Sequence, residues 1–262
     1  MQQKRILVTG GKGFLGTNVS QQLSASNRYE VATPTSSEYD FRNMKDIQRA
    51  FSDLKPDIVV HLAARVGGIG ENRAHPGQLF YDNLIMGVQL MEHAKTVGVE
   101  QFINVGTVCS YPAETPVPFS EDSLWNGYPE PTNAPYGIAK KALLTQALAY
   151  RDEYKFSSDY LILTNLYGPE DNFDLESSHV IPALIRKFQN AVEEGESEVV
   201  LWGDGTPTRD FLYVEDAARA VTCVVENSPG VLPINIGSGK EVSIADLAKI
   251  IAEKVGFRGD IK

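Results

Sequence analysis

Apolar residues fall into short runs separated by longer stretches of helical period. Arg5–Thr9, Tyr29–Thr33, Asp57–His61 and Phe102–Val105 each read as a short strand. Such runs, bounded by turn residues, suit strands buried on both faces. Helical spacing follows from Gly16 toward Leu23, from about Leu79 to Val97 and from Tyr136 to about Tyr154. Strand and helix therefore alternate, which predicts an α/β fold with a parallel sheet wound on both faces. A further strand, Asp159–Thr164, breaks at Asn165–Pro169, and the character then changes. A helix is expected from Ser178 toward Val192, a strand at Val199–Trp202 and a turn at Gly203–Pro207. A strand at Phe211–Val214, a helix from Glu215 to about Glu226, an apolar run at Pro233–Ile236 and a helix from Ser243 to about Val255 complete the pattern. The expected division is 1–166 as a cofactor-binding domain and 167–262 as a smaller α/β substrate domain interleaved with it. The last residues, Gly259–Lys262, show no clear element, and a truncation there is expected.

Composition narrows the partners. The 262 residues, 42% hydrophobic, suffice for one large domain and a small one. A net charge of −10 argues against nucleic acid or an anionic membrane as partner. Two cysteines, Cys109 and Cys223, make no disulfide framework and suggest a reducing compartment. With no signal-peptide pattern and no apolar run of spanning length, a cytoplasmic protein is expected. No metal site is expected.

The first strand runs directly into Gly10-Gly11-Lys12-Gly13-Phe14-Leu15-Gly16. Glycines at 10, 13 and 16 let the backbone turn sharply and approach a pyrophosphate, which the following helix N-terminus would bind. This is the dinucleotide-binding signature of a Rossmann sheet. An acidic residue about 20 positions beyond the glycines would mark an NAD ribose, but Ala32–Ser37 holds none, and Glu38 and Asp40 come later. Lys12 is placed to face a 2′-phosphate instead, which favours NADP(H). Leu62, Ala63 and Ala64 after the third strand are small enough for a cofactor to lie against.

Ligands of open α/β sheets gather beyond the carboxyl ends of the strands. There, Phe102–Val105 is expected to break at Gly106 into a loop carrying Thr107, Cys109 and Ser110. Pro112–Pro135 follows, with six prolines, as a long loop bordering a pocket. Tyr136 and Lys140, four residues apart, share one helix face. The ammonium is expected to lower the phenol's pKa and ready Tyr136 to pass a proton.

The glycine turn, a hydroxyl after the central strand and Tyr136-Gly137-Ile138-Ala139-Lys140 together resemble the extended short-chain dehydrogenase/reductases. Within that family the chain is similar to the nucleotide-sugar 3,5-epimerase/4-reductases. The shared words include His61–Ile69, Cys109 before Tyr111-Pro112, Pro131–Asn133, Thr164–Pro169, Asp171–Phe173, Ser178–Leu184 and Trp202–Pro207. The resemblance implies NADPH-dependent epimerisation and 4-keto reduction of a GDP-4-keto-6-deoxyhexose by a homodimer, an oxidoreductase and isomerase at once. It implies that Thr107 orients the substrate carbonyl, Tyr136 protonates it, Lys140 holds the nicotinamide ribose, and Cys109 and His179 exchange protons. It also implies cofactor contacts at Asp40, Phe41, Val105, Asn165, Leu166 and His179, and substrate contacts at Asn165, Lys187, Trp202 and Arg209. Thr107 stands where serine is common, Lys187 replaces an arginine and loses bidentate geometry, and Leu163 replaces a proline. Rival readings are a 4-reductase without epimerisation on another deoxysugar or heptose, an NAD-retaining 4-epimerase, and a non-catalytic cofactor-bound scaffold. The missing acid counts against the second, and the intact Thr107/Tyr136/Lys140 set against the third.

Overall fold

Ile6 and Val8 lie in one apolar cluster and Leu7 in another, all three buried. A strand whose alternate side chains serve two cores must be covered on both faces. The computed structural model describes residues 3–174, 178–228, 230 and 233–262. In chain order the large unit comprises β1 (Lys4–Thr9), α1 (Phe14–Ala25), β2 (Tyr29–Ala32), α2 (Met44–Leu54), β3 (Ile58–His61), α3 (Ile69–Ala74), α4 (Pro76–Val97), β4 (Gln101–Thr107), α5 (Ala134–Tyr154) and β5 (Ser158–Leu163). There follow β6 (Asn165–Tyr167), α6 (Val180–Glu194), β7 (Glu198–Val199), β8 (Thr208–Tyr213), α7 (Val214–Asn227), β9 (Ile234–Ile236), β10 (Glu241–Ser243), α8 (Ile244–Val255) and β11 (Asp260–Ile261).

Six strands form one sheet in the order β2-β1-β3-β4-β5-β9, every pair parallel. This is the doubly wound architecture expected. One face is covered by α1 and α7 through Val19, Leu23, Ala218 and Val221. Phe51, Leu90, Met91 and Ala147 of α2, α4 and α5 cover the other. A separate core joins α6 and α8 through Leu184, Phe188, Leu247 and Ile251. Residues after 166 thus serve both units, since α7 and β9 return to the large sheet.

Several boundaries differ from the expectation. β4 runs on through Gly106 to Thr107, because Gly106 leaves room where any side chain would overlap the Tyr160 ring. Helix α5 begins at Ala134, two residues early, since the fixed φ of Pro135 suits a first helical turn. Asn165–Tyr167 is not a break but a strand, paired with β8 in a small sheet of order β10-β8-β6. Trp202 lies outside any strand, because β7 stops at Val199. The terminal residues do form an element, β11, paired parallel with β7. Among the described residues no helix is long and apolar enough to cross a membrane.

Candidate active site

At the end of β1 the chain turns at Gly10, whose φ of +68° favours glycine. A Cβ there would lie 2.7 Å from the Ala63 backbone nitrogen, and one on Gly16 would overlap the Gly10 carbonyl. The turn is thus pressed between the exit of β3 and the first turn of α1, with Leu62, Ala63 and Ala64 beside it. Gly13 is the N-cap of α1; it has no side-chain cap, and the first turn carries no acid. Uncapped N–H groups at the positive end of a helix fit the pyrophosphate of a dinucleotide. Lys12 is exposed at this corner. Glu38 folds back on Thr35, accepting from its backbone N–H at 2.7 Å and its hydroxyl at 2.8 Å. Those bonds hold its carboxyl below the usual range, with the Lys12 charge contributing. An acid therefore does stand near the turn, although the segment just after β2 has none.

Phe41 is buried, and the Asp40 carboxylate binds the guanidinium of Arg42 at 2.8 Å. Arg42 also lies 3.5 Å from the buried carboxylate of Asp82, which Arg65 approaches at 3.6 Å from the far side. Next to it Asn83 clasps the loop after β3, accepting from the Arg65 N–H at 3.0 Å and donating to its carbonyl at 2.9 Å. Of these four, only Arg65 stands in a word the sequence marks, and there without a role of its own. The available signal was a polar pair, Asp82-Asn83, set into the buried face of an otherwise apolar helix.

Thr107 ends β4 and caps the 3-10 turn Val108–Ser110, its Oγ1 accepting from the Cys109 N–H at 3.2 Å. As that oxygen is the acceptor, the hydroxyl proton remains available to a substrate carbonyl. Gly137 lets the first turn of α5 press on this segment, for a Cβ there would overlap the Cys109 carbonyl. Ser110 Oγ then donates to the Gly137 carbonyl at 3.0 Å. Asn72 of α3 donates to Asn133, the N-cap of α5, at 2.7 Å. Lower on the helix, the Tyr160 hydroxyl donates to the Lys140 carbonyl at 2.7 Å. The turn and helix are thereby locked with Thr107, Cys109, Tyr136 and Lys140 at one end of the sheet.

Burial governs the charges here. Tyr136 is pushed up by burial first and by the neighbouring Cys109 second. The expected lowering by Lys140 does not occur: burial disfavours the phenolate, and both causes acting on the phenol raise it. Burial lowers Lys140 to about 8. Cys109 is raised by burial, opposed by its Thr107 bond and by the positive charge of Arg209. Arg209, exposed near the start of β8, is therefore close enough to act on the thiol.

His179 is the exposed N-cap of α6, its side chain free of any capping bond. Near it lies Asp171, which the sequence marks only as part of a shared word; burial raises its carboxyl and the histidine opposes this. Asn165 donates to the Asp210 carbonyl at 3.0 Å, while Val105 and Leu166 pack on the sheet core. The Lys187 ammonium binds the Val200 carbonyl, and Trp202 stands 92% exposed beyond it. Among the described residues no hydrogen bond or ion pair joins Lys187 or Trp202 to the Thr107–Lys140 group.

A family model described as NAD dependent epimerase/dehydratase matches residues 6–237. The chain belongs to that family. It is 42% identical over 258 residues to a GDP-L-fucose synthase of Sinorhizobium fredii, covering 98% of this chain and 82% of the relative. A GDP-6-OMe-4-keto-L-xylo-heptose reductase from C. jejuni superposes with a TM-score of 0.92 at 26% identity, covering 100% of this chain and 86% of that one. A GDP-L-fucose synthetase from Naegleria fowleri bound to NADP gives 0.88 at 30% identity, covering 100% and 80%. The family's membership agrees with the extended short-chain dehydrogenase/reductase resemblance carried by the glycine turn and the Tyr136/Lys140 pair.

Proposed function

We propose that the chain is an NADP(H)-dependent epimerase/reductase of a GDP-4-keto-6-deoxyhexose, of the GDP-L-fucose synthase type. The observation that carries this reading is the docking of α5 on the Val108–Ser110 turn at Gly137, which gathers a hydroxyl, a thiol, a phenol and an ammonium. The glycine cradle and uncapped α1 fit a dinucleotide, with Lys12 toward a 2′-phosphate and Lys140 toward the nicotinamide ribose. When bound, NADPH supplies the hydride that reduces the C4 ketone. Thr107 donates a hydrogen bond to the ketone oxygen and holds it in place, keeping its own proton. Tyr136, kept neutral by burial, passes its proton to the same oxygen as charge develops there.

The ketone also acidifies C3 and C5. Cys109 and His179 remove and return those protons before reduction, the Arg209 charge favouring the thiolate against burial. Residues 1–166, with α7 and β9 added, hold the cofactor. The α6/α8 unit offers Lys187, Trp202 and Arg209 to the nucleotide sugar. A homodimer in the cytoplasm completes the reading, supported by the exposed apolar side chains of α4 and α5 and by two free cysteines.

The experiment follows NADPH oxidation on a GDP-4-keto-6-deoxy sugar in deuterated water, with NMR of the product. Deuterium at C3 and C5 is expected. Turnover without label at either carbon would reduce the enzyme to a plain 4-reductase, and no NADPH oxidation would overturn the reading.

A further inference from the structure

Thr9, His61, Asn104 and Tyr160 occupy one rung of the large sheet, paired in register across β1, β3, β4 and β5. Residues paired in register on parallel strands share a face. The neighbouring rung on that face is Leu7, Val59, Phe102 and Ser158, three of them core apolar residues. A polar rung with every member at most 1% exposed is out of place in such a core.

Part of it is satisfied. Thr9 Oγ1 accepts from the Ala63 N–H at 3.2 Å and lies 2.8 Å from His61 Nδ1. With the threonine hydroxyl as donor to Nδ1, the tautomer adopted below, the neutral ring carries its proton on Nε2. That Nε2 is buried and has no partner, and neither atom of the adjoining Asn104 amide has one. Orphaned groups at this depth are costly and call for an explanation, commonly an ordered water or ion. Above the rung lies α5, held by Tyr160 through the carbonyl of Lys140 itself. The Lys140 charge is felt at His61.

We propose that this rung binds an ordered internal water between His61 and Asn104, and that the hydrated rung fixes the ammonium of Lys140. The water accepts from His61 Nε2–H, donates to Asn104 Oδ1 and keeps a lone pair for an N–H of Lys140. His61 and Asn104 are then positioning residues, acting on the reaction through Lys140. The inference rests on the reductase reading, in which Lys140 holds the nicotinamide ribose. The titratable groups tied to Lys140 are His61 from β3, which feels its charge, and Tyr160 from β5, which binds its carbonyl; Tyr136, one turn earlier on α5, neighbours Tyr160 and Cys109.

Two measurements test it. A high-resolution crystal structure of the wild-type chain with NADP bound is expected to show a water within about 3.2 Å of both His61 Nε2 and an Asn104 amide atom. A direct His61–Asn104 bond, or a dry gap, would overturn the proposal, and this result needs no substrate and so stands apart from the choice of reaction. Asn104→Leu should leave NADPH affinity near normal, lower kcat by about tenfold or more and move the alkaline limb of the pH–rate profile down. Asn104→Asp, which sets a carboxylate beside the ammonium, should move that limb up by about one unit. If both variants fold and keep the wild-type profile, the rung is structural only; if Asn104→Leu fails to fold, the crystal water and the Asp variant decide.

Discussion

Tyr136 and Lys140 share one face of α5, yet burial moves them oppositely, the phenol up and the ammonium down to about 8. Tyr136 therefore stays a proton donor across the neutral range. Tyr136→Phe removes only the transferable proton, so the rate of reduction should fall by about 10²–10⁴ while NADPH affinity is retained. A loss under about tenfold, measured where chemistry limits the rate, would assign the proton to another group. Lys140 sets the other limit. Its folded value is lowered, so the ammonium is lost as pH rises through about 8, and kcat should decline there. A pH–rate profile level to about pH 10, near the ordinary lysine value, would contradict that. At the far end of the cofactor, Lys12 is the cation of the glycine turn, facing Glu38. Lys12→Ala should raise the dissociation constant for NADPH by more than that for NADH, as read by titration of cofactor fluorescence; equal losses would remove Lys12 from the 2′-phosphate.

At the scale of elements, the seam between α5 and the Val108–Ser110 turn is the most demanding contact, because it exists only while residue 137 lacks a side chain. Gly137→Ala should force the two apart, cost about 1–3 kcal/mol of stability and depress reduction, measured by denaturant unfolding and single-turnover rates. An alanine variant of wild-type stability and rate would show that the seam yields freely. The same seam explains what the sequence disclosed. Thr107, Cys109, Tyr136 and Lys140 lie in two short words whose internal spacing carries their chemistry, so they could be found without a fold. The long apolar runs of β1, β3, β4 and β5 were equally plain. Helix α2 was not, since it buries only Ile47, Ala50 and Phe51 between polar residues. Strands β6, β10 and β11, of two or three residues, have too few side chains to show a period. The Arg42–Asp82–Arg65 cluster and the Thr9–His61–Asn104–Tyr160 rung were hidden for a different reason. Their members are scattered through the sequence and meet only when β-strand register and helix packing are set. The phenol's shift was misjudged because spacing shows the charged neighbour and not the depth of burial.

At the scale of the whole molecule, His61 ties stability to pH. His61 is buried and neutral, its pKa pushed down to about 3 by desolvation and then by the Lys140 charge. An unfolded histidine titrates near 6.5. Above that value both states are neutral and the contribution is intact. Between about 6.5 and about 3 the unfolded chain binds the proton and the folded chain does not, so stability falls with pH by about 1.4 kcal/mol per unit from this group. His61→Gln should flatten the acid limb of thermal unfolding, and an unchanged limb would shift the cause to the carboxylates. Association is the second molecular property. Phe80 and Tyr81, near the start of α4, are 38% and 59% exposed, and Tyr154, at the other end of the layer beside Lys95, is 48% exposed. The two helices pack against each other on the sheet face opposite α1 and α7. The proposed homodimer would set this paired-helix layer against its two-fold copy, an arrangement self-complementary by symmetry. Sedimentation velocity at micromolar concentration should therefore show a dimer. Tyr81→Glu, which sets a charge into that face, should shift it to monomer. A wild-type monomer, or a Tyr81→Glu dimer of unchanged affinity, would place the contact elsewhere.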